Sequence, residues 1–153
     1  MRSVMNQLCV LPRALLGLFW LAAMPAAAEQ QIELDDFQVH YAALPGSVLS
    51  EQSARMYQIS RSVGSGFINI TVLEKQADEQ LVSRRSFVRG TVKTEQGEAR
   101  PLPFQQVTEG GVTSSIANFW YSPGKELTFA IEFIGDPNQP PLEFAFKQTL
   151  YAD

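Results

Sequence analysis

Few side chains in this sequence could carry acid–base, nucleophilic or metal chemistry. It holds one histidine, His40, and one cysteine, Cys9. A Ser-His-Asp relay at His40 would need a serine and a carboxylate within hydrogen-bond reach, and no G-x-S-x-G turn presents the serine. His40 sits in an alternating run, where a histidine is more often a packed or surface residue than a base. A zinc site takes several His or Cys ligands, and a soft copper site takes clustered Met, Cys or His. With His40 alone, and Met56 the single methionine after residue 28, neither set can be assembled. The carboxylates lack the D-x-D-x-D-G spacing of a calcium loop. Gly64-Ser65-Gly66 is too short for a phosphate loop and lacks its lysine. The expectation is a protein with no catalytic residues, no metal site and no cofactor.

Binding is better supported than catalysis. Tyr57-Gln58-Ile59-Ser60-Arg61-Ser62, followed by Gly64 and Asn69, offers a ring, a guanidinium and an amide within a short stretch. Arg61 suits a carboxylate on a ligand or partner. It suits an acid of its own chain equally, as Asn69 suits a turn backbone. Phe119-Trp120-Tyr121 reads either as the wall of a sugar or peptide groove or as the rim of the core. Arg84-Arg85 and Arg89 read as a docking patch or, more simply, as a strand edge charged against aggregation. On one strand, Arg85 and Arg89 would share a face and Arg84 would take the other. The candidate binding residues are therefore His40, Tyr57, Arg61, Asn69 and Trp120.

The elements that must position them read mostly as strands. Phe37, Val39 and Tyr41 alternate with Gln38, His40 and Ala42, the period of a half-buried strand. Pro45-Gly46 turns the chain. Ser50 suits a helix N-cap and Glu51 its first turn, which predicts one short helix with Leu49, Ser53, Met56 and Tyr57 on one side. Phe67–Leu73 is rich in β-branched residues. Leu81–Lys93 reads as a long strand, with Val82, Ser86, Val88 and Val92 among its β-formers and Arg84, Arg85 and Arg89 interrupting it, and Phe104–Thr108 and Val112–Trp120 read as two more. Leu127, Phe129, Ile131 and Phe133 alternate, as do Leu142, Phe144, Phe146, Gln148 and Leu150. Glu29–Asp36 reads as a polar lead-in. About seven short strands with regular turns predict an all-β fold, an antiparallel sandwich or a partly closed barrel, and the reading preferred is an immunoglobulin-like sandwich. Its leading core candidates are Phe129, Ile131, Phe133, Phe144, Phe146 and Leu150.

The first residues bound the compartment. Arg2 and Arg13 precede or flank an apolar run, Ala14–Ala23, which Pro25 ends before Ala26-Ala27-Ala28. That is the order of a cleavable signal peptide, and the run is shorter than the roughly 20 apolar residues of a membrane span. The reading is a signal peptide over 1–28 and one domain over 29–153. Cleavage removes Cys9, so stability rests on a hydrophobic core rather than a disulfide. Losing the charges of Arg2 and Arg13 takes the formal net charge from −4 to −6. Nucleic acid and anionic membrane surfaces want clustered Lys and Arg and are disfavoured as partners.

Phe37…Val39-His40-Tyr41, then Leu49, Ala54, Tyr57-x-Ile59-x-Arg61-Ser62, then Asn69-Ile70-x-Val72-Leu73, resembles the family labelled domain of unknown function 4426 (DUF4426). The resemblance covers most of the chain after residue 28 and is clearest over 37–73. It implies a small exported protein of a gamma-proteobacterium and carries no activity with it. The matching polar positions are His40, Tyr57, Arg61, Ser62 and Asn69. Together the readings lead to a periplasmic, non-enzymatic interaction module for an envelope protein or peptide. The alternative is a binder of a small anionic or sugar-like ligand through Arg61, Tyr57 and the aromatics near Trp120. Intact-mass spectrometry of the exported protein is expected to give a chain that begins at Glu29; a chain retaining residues 1–28 would refute the cleavage reading.

Overall fold

The computed structural model describes residues 29–152, and the signal peptide reading of 1–28 lies outside the described residues. Ten strands form two antiparallel sheets: β1 (Gln30–Leu34), β2 (Phe37–Pro45), β3 (Ser65–Lys75), β4 (Leu81–Ser83), β5 (Val88–Thr94), β6 (Arg100–Pro101), β7 (Gln105–Glu109), β8 (Val112–Trp120), β9 (Glu126–Phe133) and β10 (Leu142–Thr149). The six-stranded sheet runs β1-β2-β3-β8-β7, with β4 also on β3, and the four-stranded sheet runs β10-β9-β5-β6. One helix, α1 (Glu51–Tyr57), follows a single 3-10 turn, Gly46–Val48.

The two inner faces make the core expected of a sandwich. Val39, Ile68, Ile70, Val92, Leu127, Phe129 and Phe133 are fully buried there, and Ile131, Phe144, Phe146 and Leu150 are buried with them. Phe129 stacks on Phe146 at 4.9 Å between ring centres, meets the edge of Phe119 at 5.1 Å, and Phe146 in turn lies 4.5 Å from Tyr41. Rings from β8, β9, β10 and β2 are thus joined across both sheets. Gly66 lies opposite Phe119, and a Cβ there would come within 2.8 Å of its ring. A side chain at that position would displace the ring from the stack.

Three elements differ from the sequence reading, each for a physical reason. The lead-in is a paired edge strand: β1 registers on β2 from Gln30↔Tyr41 to Leu34↔Phe37, and Ile32 and Leu34 pack on the core. The long strand over Leu81–Lys93 is two strands, because the chain changes sheets there. Arg84 N–H still donates to Val72 of the six-stranded sheet, whereas the Phe87 carbonyl already accepts from Ile134 beside the four-stranded one. In the helix, Ser50 caps as expected, its hydroxyl accepting from Ser53 N–H at 3.1 Å. The inward residue is Ala54, however, and Met56 is exposed. Seven residues make two turns, too few to bury a wide stripe.

Phe129→Ala is expected to destabilise the protein by about 3–5 kcal/mol, read as a lower denaturation midpoint with an unchanged slope. A loss below about 1 kcal/mol would mean the stack is not the centre of the core.

Candidate functional site

The outer face of the six-stranded sheet changes character along its strands. On β3, Ile68, Ile70 and Val72 point into the sandwich, so Phe67, Asn69 and Thr71 point out. Cross-strand register places Leu44 beside Phe67, Ala42 and Ile116 beside Asn69, and His40 and Ser114 beside Thr71. The face therefore runs from apolar to polar. Its apolar end is covered: Ile59, Phe67 and Ile116 form a second buried cluster with Leu44, Leu49, Tyr57 and Val107. The chain can lie this close because of Gly46, where a Cβ would strike the Ser60 carbonyl oxygen.

At the boundary between covered and open surface lies a groove of about 310 Å³, lined by Leu49, Tyr57, Phe67, Asn69, Val107, Glu109, Val112, Ser114 and Ile116. The Tyr57 hydroxyl reaches from the end of α1 to donate to the Glu109 carboxylate on β7. Gln105 Nε2 donates to the Tyr57 carbonyl at 2.6 Å, fixing the same residue by its backbone. The hydrogen bond to Glu109, then burial, then the carboxylate's charge push the Tyr57 phenol above its ordinary value of 10.0. A raised acid of this kind adds stability below its unfolded pKa and loses it as the pH rises through the folded one. The bridge is accordingly intact at neutral pH. Thr71 and Ser114 satisfy one another at 2.7 Å. Asn69 Oδ1 and His40 Nε2 are buried atoms without a hydrogen-bond partner.

The structure thus brings together Tyr57 and Asn69, with His40 diagonally across from Asn69 on β2. His40 Nδ1 is 3.0 Å from the Glu29 carboxylate. Arg61 and Trp120 stay outside the groove. Arg61 lies 3.9 Å from the Glu51 carboxylate and donates to the Ser47 carbonyl, which ties the start of α1 to the loop after it. Trp120 pairs with Ser65, four residues along β3 from Asn69, or about 13 Å at the strand rise. Glu109, which precedes the Gly110-Gly111 turn, is not among the residues singled out by type and spacing. The arginine group does not form one patch either. Arg84 lies 3.0 Å from the Glu74 carboxylate, Arg85 donates to Gln106 at 2.6 Å, and Arg89 pairs with Glu132 on the other sheet.

The four-stranded sheet turns an uncovered face outward. Register aligns it in rows across β10, β9 and β5: Glu143, Glu132 and Arg89, then Ala145, Ala130 and Thr91, then Lys147, Thr128 and Lys93. The small middle row forms the floor of an open groove of about 760 Å³. By strand alternation Phe87 continues this face beyond Arg89. Its side chain is 63% exposed, with Ile134 beside it at 37%. Among the described residues no group of three or more His, Cys, Asp or Glu is placed to hold a metal ion, and no helix is long and apolar enough to cross a membrane.

Comparison with known proteins places the chain. Solved structures similar to it include a DUF4426 family protein from Pseudomonas aeruginosa PAO1, at 30% identity and TM-score 0.68, covering 82% of this chain and 96% of that one. A copper-bound variant of FetP from uropathogenic Escherichia coli strain F11 has TM-score 0.57 at 8% identity, covering 80% and 95% of the two chains. FetP as isolated after expression in the Escherichia coli periplasm has TM-score 0.55 at 7% identity, covering 81% and 94%. At such identities the FetP likeness is one of fold alone. No curated protein matches the chain. Residues 31–153 match the sequence model described as Domain of unknown function (DUF4426), and the chain belongs to that family.

Proposed function

We propose that the protein is an exported, non-enzymatic interaction module of the cell envelope, and that it engages a protein partner through the outer face of its four-stranded sheet. The observation that carries this reading is Phe87, 63% exposed beside Ile134 on the same outer face as the 760 Å³ groove, with the Arg89–Glu132 pair between them and its floor. An exposed ring with a second apolar side chain beside it, at the head of an uncovered sheet face, is what a docking site offers. The charges beside it select the partner. Arg89 takes up Glu132, whereas Glu143, directly opposite Glu132, has no ion-pair partner among the described residues. The partner that fits brings an apolar side chain against Phe87 and Ile134 with a basic group for Glu143.

Export rests on the signal peptide pattern of Met1–Ala28. The non-enzymatic reading draws on His40. Its Nδ1 meets Glu29 and its Nε2 has no serine hydroxyl to activate, so the nucleophile–base contact of a hydrolase has no counterpart there.

A photo-crosslinking residue at Ala145 of the exported protein is expected to give one discrete adduct with an envelope protein. Phe87→Glu and Glu143→Lys should each reduce it by roughly tenfold, the effect of losing one interface anchor. No adduct, or one that survives both substitutions, would refute the reading.

A further inference from the structure

The groove beneath Tyr57, on the opposite sheet, is chemically one-sided. Glu109 is its only ionised side chain; it accepts from Tyr57 and pairs with no Lys or Arg among the described residues. Asn69 lines the same groove with a carbonyl oxygen that nothing satisfies, and a buried polar atom left without a partner calls for one. The Thr71–Ser114 bond ties those two hydroxyls to each other. Its charged acceptor, Glu109, and its unsatisfied one, Asn69 Oδ1, lie among the apolar side chains of Val107, Ile116 and Phe67.

We propose that this groove binds an aliphatic primary amine. The ammonium sits on the Glu109 carboxylate, the methylene stem lies along Val107 and Ile116, and a second hydrogen-bond donor at the far end satisfies Asn69 Oδ1. An ammonium is a compact charge with three donors, which suits a carboxylate already holding one neutral donor. The stem removes apolar surface from water on both sides of the contact. Anionic ligands are excluded by Glu109, and the guanidinium that would have recruited them, Arg61, faces Glu51 and Ser47 instead. Two sources share the required chemistry: a free diamine, and a lysine residue in a peptide, whose ammonium and backbone N–H are joined by four methylenes and the Cα. This site is independent of the docking face described above, so either can fail without the other.

Titration of the protein with cadaverine and with N-acetyl-lysine N-methylamide, followed by amide NMR shifts and calorimetry, tests the proposal. At least one amine is expected to bind saturably and to shift the amides of Asn69, Val107 and Ile116, while hexanoate does not. Glu109→Gln keeps an acceptor for Tyr57 and so keeps the fold, but should weaken binding roughly tenfold. Asn69→Leu should weaken it several-fold for both amines and leave n-hexylamine, which lacks the second donor, unaffected. Glu98→Gln, at an exposed acid in the connection between β5 and β6, should change nothing. Cadaverine alone binding identifies a free amine; the lysine derivative alone identifies a peptide. Binding by neither, or binding that falls equally with Glu109→Gln and Glu98→Gln, overturns the proposal, since the second result is only attraction to an acidic protein.

Discussion

The contact on which the molecule depends is the passage of aromatic rings through its centre, Phe119 to Phe129 to Phe146 to Tyr41. The sheets have no covalent link, because Cys9 is the chain's one cysteine. Large rings are an efficient substitute: each removes much apolar area from water and adds directional ring contacts. The arrangement constrains its neighbours. Gly66 lies under Phe119 and Gly135 against Phe37, each without room for a Cβ. Because each inner face is filled by alternate residues, every strand has to place its remaining side chains outside. Recognition surfaces can therefore come only from the outer faces, the edges and the segments laid over them.

The two outer faces are treated differently. The six-stranded one is long enough to be covered at one end and open at the other, and α1 with the loop after it supplies the cover. A groove forms where the cover stops, with Tyr57 as its lip. The four-stranded face carries no such cover, and small residues at Ala130 and Ala145 leave a depression between charged rows. Both surfaces follow from one asymmetry in chain length: the connection from β2 to β3 is long enough to fold back over a sheet, whereas that from β9 to β10 is spent on an exposed loop.

Much of the architecture was legible because alternation is local. Phe129, Ile131, Phe133, Phe144, Phe146 and Leu150 are buried as their period demands, and the Ser50 cap is where its sequence context puts it. What escaped was non-local. Nothing within Leu81–Lys93 says that its first residues belong to one sheet and its last to the other, since both halves are β-forming. The acids of β1 obscured its own alternation of Ile32 and Leu34. The site was half legible for the same reason. Tyr57 and Asn69 stand close in sequence and line one groove, but the group that sets its charge, Glu109, arrives from a strand 52 residues further on than Tyr57. Arg61 and Trp120 look equally qualified by residue type, and only tertiary placement separates them from the groove.

That placement also governs what the fold may lend. The chain shares its sandwich with FetP at 7–8% identity, which fixes how strands cross and leaves almost every side chain free to differ. Function resides in grafted side chains rather than in the scaffold. Here the outward side chains around the Tyr57 groove are an amide, hydroxyls that satisfy each other, a phenol and one carboxylate, set among aliphatic residues. Such a set has acceptors to offer and no cation of its own. A donor with positive charge and an apolar stem complements its carboxylate, its free carbonyl and its aliphatic wall, whereas an anion meets the charge of Glu109. The sign of the groove is therefore decided by one residue that the sequence did not single out, and the acceptor without a partner decides where the far end of a ligand must reach.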